Sequence, residues 1–108
     1  MNTSWNKEEF KTYVLLYAAQ SNFIETEEES KYILSKVTEP LYNRIHTEIV
    51  HDNDYQSMEK IKNYLLENNY SIKDKEELLR DIKKVFFADG SVDILERNVF
   101  MFLKKIID

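Results

Sequence analysis

The chain has no cysteine, and its 108 residues include one glycine and one proline. Without cysteine there is no disulfide framework, no thiolate zinc site and no cysteine nucleophile. A sandwich or barrel of many short strands needs turn residues at each reversal, so the scarcity of glycine and proline argues against such folds. Long helices need few turn residues, and the sequence therefore predicts an all-α fold.

Long apolar runs and an excess of basic residues are also missing. No run approaches the about 20 apolar residues of a membrane span, and the polar segment 1–11 does not have the pattern of a signal peptide. The net charge is −5, with 20 acidic and 15 basic residues, which argues against nucleic acid as a partner. We expect a cytoplasmic protein with a protein partner, whose electrostatic partners are cations or a basic surface. The oligomeric state stays open.

Hydrophobic residues make up 43% of the chain and recur with helical spacing. We predict one domain over residues 1–108, a compact bundle of about six helices. Capping residues and the single proline place the helix starts, near Ser4 or Asn6, Thr26, Pro40, Asp54, Ser71 or Asp74, and Asp93. The fourth helix is expected to bury Met58, Ile61 and Leu65, with Leu66 as a further candidate. The sixth is expected to bury Leu95, Val99, Phe102, Leu103 and Ile106.

The chain contains a weak internal repeat. Residues 17–28 can be laid over residues 85–96 without a gap, which pairs Glu25 with Asp93 and Glu28 with Glu96. Asn22 then takes the place of Gly90, and asparagine is the residue other than glycine that best tolerates a left-handed backbone. We interpret the repeat as two helix-turn-helix units joined by a middle pair of helices.

The second unit runs from an apolar helix into Ala88-Asp-Gly90, then Val92 and an acidic first turn that contains Glu96. This pattern resembles the signature of the TerB family of tellurite-resistance proteins, and residues 16–28 are similar to the N-terminal half of that family. The resemblance covers roughly residues 5–107. It implies a compact helical fold, no known catalytic chemistry, a role in stress or tellurite response, and a divalent-metal site formed by acidic residues of the two turns.

The ligands implied by the resemblance are Asp89, Asp93 and Glu96 in the second turn, and Glu25 and Glu28 in the first. In the ungapped alignment of the two units, Ser21 takes the position of Asp89, so the first turn carries one negative charge fewer than the second. Oxygen ligands of this kind suit calcium, magnesium or manganese. The spacing is not that of an EF-hand loop.

A purely structural interpretation of the second turn stays open beside the metal site. Gly90 would end one helix in a left-handed conformation, Asp93 would cap the next helix, and Glu96 at its third position would complete a capping box. These local roles would explain the turn residues except Asp89.

His46 and His51, with Asp52 and Asp54, form the other candidate metal cluster. Five positions on a helix do not place two histidines on one face as the i, i+4 spacing of a zinc helix does, so we interpret them as surface histidines.

No nucleophile, base and orienting group can be assembled from the sequence, and we do not expect an enzyme. Two functions remain. One is a TerB-like accessory protein that binds a divalent cation and acts through protein contacts. The alternative is an acidic interaction module without metal, such as an inhibitor or immunity-type protein that masks a basic partner.

Overall fold

Six α-helices follow one another in the computed structural model, which describes residues 5–20, 26–88 and 94–107. The described residues contain no strand, so the predicted all-α fold is confirmed. The helices are α1 (Lys7–Ala19), α2 (Glu27–Leu34), α3 (Glu39–Val50), α4 (Asp54–Glu67), α5 (Ile72–Phe86) and α6 (Ile94–Ile107).

Side-chain caps explain why most of these helices begin where they do. Three helices, α1, α2 and α4, start with a complete capping box, in which the cap side chain and the third helical residue bond each other's backbone amides. The pairs are Asn6 with Glu9, Thr26 with Glu29, and Asn53 with Gln56. Ser71 caps α5 by accepting from the amide of Asp74. Pro40 is the second residue of α3, where its missing amide leaves no hydrogen bond unmade.

Helix α1 lies at the centre of the fold and contacts each of the other five helices. Its residues Phe10, Leu15 and Leu16 are fully buried, so this helix is enclosed on more than one side. Phe10 stacks on Tyr64 of α4, with ring centroids 4.0 Å apart. The radius of gyration of 12.7 Å is close to the ~13 Å of a packed domain of about 100 residues.

The predicted inner faces of α4 and α6 need one correction each. In α4, Leu66 is 84% exposed, because Met58, Ile61 and Tyr64 already form the buried stripe. In α6, Phe102 is 51% exposed. The buried line of α6 instead runs through Glu96, Leu103 and Ile107, while Leu95 lies outside the side chains that the structure describes. Helix α6 carries apolar residues on more than one side, so periodicity alone did not place Phe102 correctly.

Among the described helices, none combines the length and the apolar character needed to cross a membrane.

Candidate functional site

The five acidic residues of the predicted metal site are only partly within the described structure. Glu25, Asp89 and Asp93 lie outside the described residues. Glu28 is an exposed residue in the first turn of α2, and Glu96 is 3% exposed at the third position of α6. The predicted approach of the two turns therefore stays a prediction.

Glu29, which is not among the ligands that the resemblance implies, is the buried acid of the first unit. It is the third residue of α2 and is fully buried. Its Oε1 accepts the amide of Thr26 at 2.8 Å, and its own amide donates to Thr26 Oγ1 at 3.1 Å. By helix position and burial, Glu29 corresponds to Glu96, one residue away from the ungapped pairing of Glu28 with Glu96. The Thr26 cap followed by Glu29 was the signal that could have identified it.

Within the ranges 5–20, 26–88 and 94–107, no group of three or more histidines or acids is placed to hold a metal ion. This includes the second candidate cluster. His46 stacks on Tyr42 with ring centroids 5.5 Å apart, and His51 is an exposed residue at the end of α3.

A polar network that the sequence did not predict joins α1 to α3 and α4. Tyr13 is fully buried, and its hydroxyl lies 2.6 Å from Asp52 Oδ2 and 2.9 Å from Ser57 Oγ. Lys60 donates to the same Asp52 oxygen at 2.7 Å and to Glu48 Oε2 at 3.0 Å. The other Glu48 oxygen accepts from the indole of Trp5 at 3.2 Å. The network thus ties the start of the chain to the α3–α4 junction.

The charges in this network keep both donors protonated. Burial and the hydrogen bond to Asp52 raise the pKa of the Tyr13 hydroxyl well above its usual 10.0. Burial lowers the pKa of Lys60, but its hydrogen bonds to Asp52 and Glu48 outweigh that effect and raise the pKa above 10.5. The hydrogen bonds of the network tie Tyr13 of α1 to Ser57 of α4, and Lys60 of α4 to Glu48 of α3.

An open cleft of about 340 Å³ adjoins the network, between the end of α1, the α3–α4 junction and α6. Its lining includes Tyr17, Asp52, Asp54 and Val99. The Tyr17 hydroxyl donates to Asp54 Oδ1 at 2.6 Å, and burial together with this bond raises the pKa of Tyr17. Both aspartates of the cleft are thus engaged by the protein's own donors.

Asp81 of α5 forms a second buried anchor. It is 7% exposed and lies 3.1 Å from Lys11 Nζ and 3.9 Å from Lys36 Nζ. The Tyr32 hydroxyl donates to its Oδ1 at 3.0 Å. These contacts link α1, α2 and α5, and they compensate the buried negative charge of Asp81.

Exposed apolar side chains concentrate where α5 ends and along α6. Phe87, Ile94, Met101 and Phe102 are each more than half exposed, and we call these four residues the α5–α6 face. Phe87 also lines an open cleft of about 350 Å³ together with Lys83, Phe86, Arg97 and Phe100. Large apolar groups that share an exposed face are typical of interaction surfaces.

Comparisons of the chain with protein-family models, with curated proteins and with solved structures find no match. The resemblance to the TerB family therefore stays a prediction from the sequence.

Proposed function

We propose that the chain is a non-enzymatic, TerB-like protein that binds a divalent cation at its acidic inter-helix turns and acts through contacts with another protein. The resemblance adds a role in stress or tellurite response to this proposal. The main support for this proposal is that residues of the α5–α6 face stand directly before and directly after the second acidic turn in the sequence. Phe87 stands two residues before Asp89, and Ile94 directly follows Asp93. A cation bound at this turn would fix the backbone beside the exposed apolar side chains.

The two helix starts that follow the turns share one feature that fits the proposed cation. Glu29 and Glu96 are both third residues of these helices, so each unit carries a carboxylate next to its turn. Calcium, magnesium and manganese bind carboxylate oxygens. The ligand set remains the one that the resemblance implies.

A cation would connect the two parts of the proposal through preorganisation. A ligand that binds only the native state stabilises that state. Holding a turn in one conformation also lowers the entropy lost when neighbouring groups bind a partner. The cation would therefore strengthen partner binding without contacting the partner.

Thermal unfolding with added calcium, magnesium or manganese tests the cation site. A metal at ten times its dissociation constant adds about 1.4 kcal/mol to the free energy of unfolding. For a chain of this length, that gain raises the melting temperature by roughly 6 °C. We expect this rise in the natural protein and its loss in the double variant Asp89→Asn/Glu96→Gln. The matched control Glu39→Gln/Glu67→Gln removes two exposed charges elsewhere and should retain the rise. An equal rise in both double variants would place the ion elsewhere.

The interaction module without metal is the second candidate, and the charge of the first 81 residues favours it. They contain 16 acidic and ten basic residues, so an acidic surface could mask a basic partner. The absence of any melting-temperature shift in the natural protein at millimolar metal would select this candidate.

A further inference from the structure

The charge around the α5–α6 face is opposite in sign to that of the rest of the chain. Residues 82–107 contain five basic and three acidic residues. All five basic residues of this stretch are exposed: Lys83, Lys84, Arg97, Lys104 and Lys105. Among the described residues of this stretch the single acid is Glu96, and it is buried. The other two acids, Asp89 and Asp93, fall in the segment that the structure does not describe.

The cations lie beside the apolar side chains on the same helix surface. Arg97 is three residues after Ile94 and four before Met101, and Lys105 is four after Met101 and three after Phe102. Residues three and four apart are neighbours on a helix. Lys83 Nζ also lies 5.7 Å from the centre of the Phe100 ring. The surface therefore alternates apolar and cationic groups.

Two clefts border α6, and both have the same chemical character. The cleft with Phe87 is lined by aromatic side chains and by Lys83 and Arg97. A second open cleft, of about 460 Å³, is lined by Lys62, Lys75 and four aliphatic residues, namely Leu65, Leu66, Ile106 and Ile107. Among the residues that the structure describes, neither lining includes an acidic one. Each cleft can therefore take an apolar side chain whose neighbours are negatively charged.

We propose that the α5–α6 face, with the two clefts that α6 helps to line, docks an acidic amphipathic helix of another protein. The proposal rests on the proposed function only in taking protein contact as the mode of action. The apolar side of the helix would contact Phe87, Ile94, Met101 and Phe102, and its Asp and Glu residues would pair with the surrounding lysines and Arg97. Phenylalanine, methionine and arginine are enriched at protein–protein interfaces relative to the rest of the surface.

The fold and the clefts decide between this partner and others. The described residues offer no sheet edge, so an extended peptide could not add as a strand, whereas a helix can lie in a groove. A membrane surface would attract the same cations, but it supplies no discrete side chains to fill two concave clefts. A second copy of the chain could present its acidic residues, and it is therefore an outcome that the test must separate.

The test is selection from a library of displayed random peptides of ~20 residues, long enough for a helix of about 30 Å. The natural protein is the bait, in buffer without divalent metal. We expect the enriched peptides to be net negative, with apolar residues at helical spacing. Fluorescence anisotropy should then show that Phe87→Ser or Arg97→Glu lowers the affinity for the best peptide about tenfold or more. A loss of this size is typical when a residue at the centre of an interface is replaced.

Matched controls separate the face from general effects. Tyr55→Ser removes an aromatic side chain that is 73% exposed on α4, and Lys31→Glu reverses an exposed charge on α2. Both should retain the affinity of the natural protein. Circular dichroism should show unchanged helicity for all four variants, because each replaced side chain is exposed.

Several results would overturn the proposal, and each refutes a different part of it. Enrichment of neutral or basic peptides that still depend on Phe87 would refute the acidic partner but retain protein contact as the function. No enrichment at all, or equal losses in the controls, would refute the docking surface itself. A dimer in sedimentation that Arg97→Glu dissolves would assign the face to a second copy. Binding to vesicles with phosphatidylserine, without any enriched peptide, would assign it to a membrane.

Discussion

Replacing Tyr13 by phenylalanine tests whether the polar network between α1 and the α3–α4 junction stabilises the fold. The variant keeps the buried ring but removes the hydroxyl that donates to Asp52 at 2.6 Å and contacts Ser57 at 2.9 Å. Asp52 keeps its contact with Lys60 at 2.7 Å, so no buried charge is left without a counter-charge.

The expected loss follows from the kind of bond that is removed. A hydrogen bond to a charged group contributes about 1.5–3 kcal/mol, and we expect Tyr13→Phe to lower the free energy of unfolding by about 2 kcal/mol. For a chain of 108 residues, unfolding entropy of about 2.1 cal/mol/K per residue converts this loss into a fall in melting temperature of roughly 9 °C.

Tyr17→Phe is the matched control, since it removes the same group from an exposed hydrogen bond to Asp54. We expect it to lower the free energy of unfolding by less than about 1 kcal/mol. Urea denaturation and thermal unfolding followed by circular dichroism measure both variants. A Tyr13→Phe protein as stable as the Tyr17→Phe protein would show that the network does not contribute as described.

Two further predictions concern the helix start of the first unit and alkaline pH. Glu29→Ala should lower the free energy of unfolding by about 1–2 kcal/mol, because it removes half of a buried capping box. Glu28→Ala should change the free energy of unfolding by less than about 0.5 kcal/mol, because Glu28 is exposed. Equal losses for the two variants in urea denaturation would contradict the assignment of Glu29 as the buried acid. Tyr13 and Lys60 both have a raised pKa in the folded protein, so as pH rises they lose their protons first in the unfolded chain. Their ionisation should therefore leave the free energy of unfolding unchanged below about pH 10, and should lower it as the pH rises above about 10. Urea denaturation from about pH 8 to about pH 11 measures this slope, which Tyr13→Phe should reduce; an unchanged slope would refute the assignment.

The sequence was sufficient to predict the six helices because their starts depend on local chemistry. Asn6, Thr26 and Ser71 each bond an amide three residues ahead, and these contacts can be recognised from residue types and spacing alone. The scarcity of glycine and proline supported the same conclusion. The confirmed elements are thus those whose cause lies within a few residues of the chain.

The orientation of α6 could not be predicted because several of its sides are apolar. Phe102 and Leu103 are adjacent in sequence, yet Phe102 is 51% exposed and Leu103 is fully buried. Packing against α1, α4 and α5 determines which side of α6 is buried. The spacing of its apolar residues did not distinguish that side from the exposed side that carries Phe102. The same ambiguity hid the α5–α6 face, whose residues resemble core residues until the fold is known.

The polar network escaped prediction for a different reason. Tyr13 and Asp52 are 39 residues apart, and Trp5 and Glu48 are 43 apart. No local pattern links such pairs, so only the packing of α1 against α3 and α4 brings them together. The buried Glu29, by contrast, could have been found from its cap, since a glutamate three residues after a capping threonine is a local signature.

Locating a bound manganese ion by paramagnetic broadening of backbone amide signals tests the central proposal most directly. Mn²⁺ favours the same oxygen ligands as magnesium and calcium, and it broadens the signals of nearby nuclei selectively. We expect the broadening to be strongest for residues 25–29 and 89–96 together, because the two turns would share one ion. Broadening centred on Asp52 and Asp54, or spread evenly over the exposed acids, would contradict a cation site at the inter-helix turns.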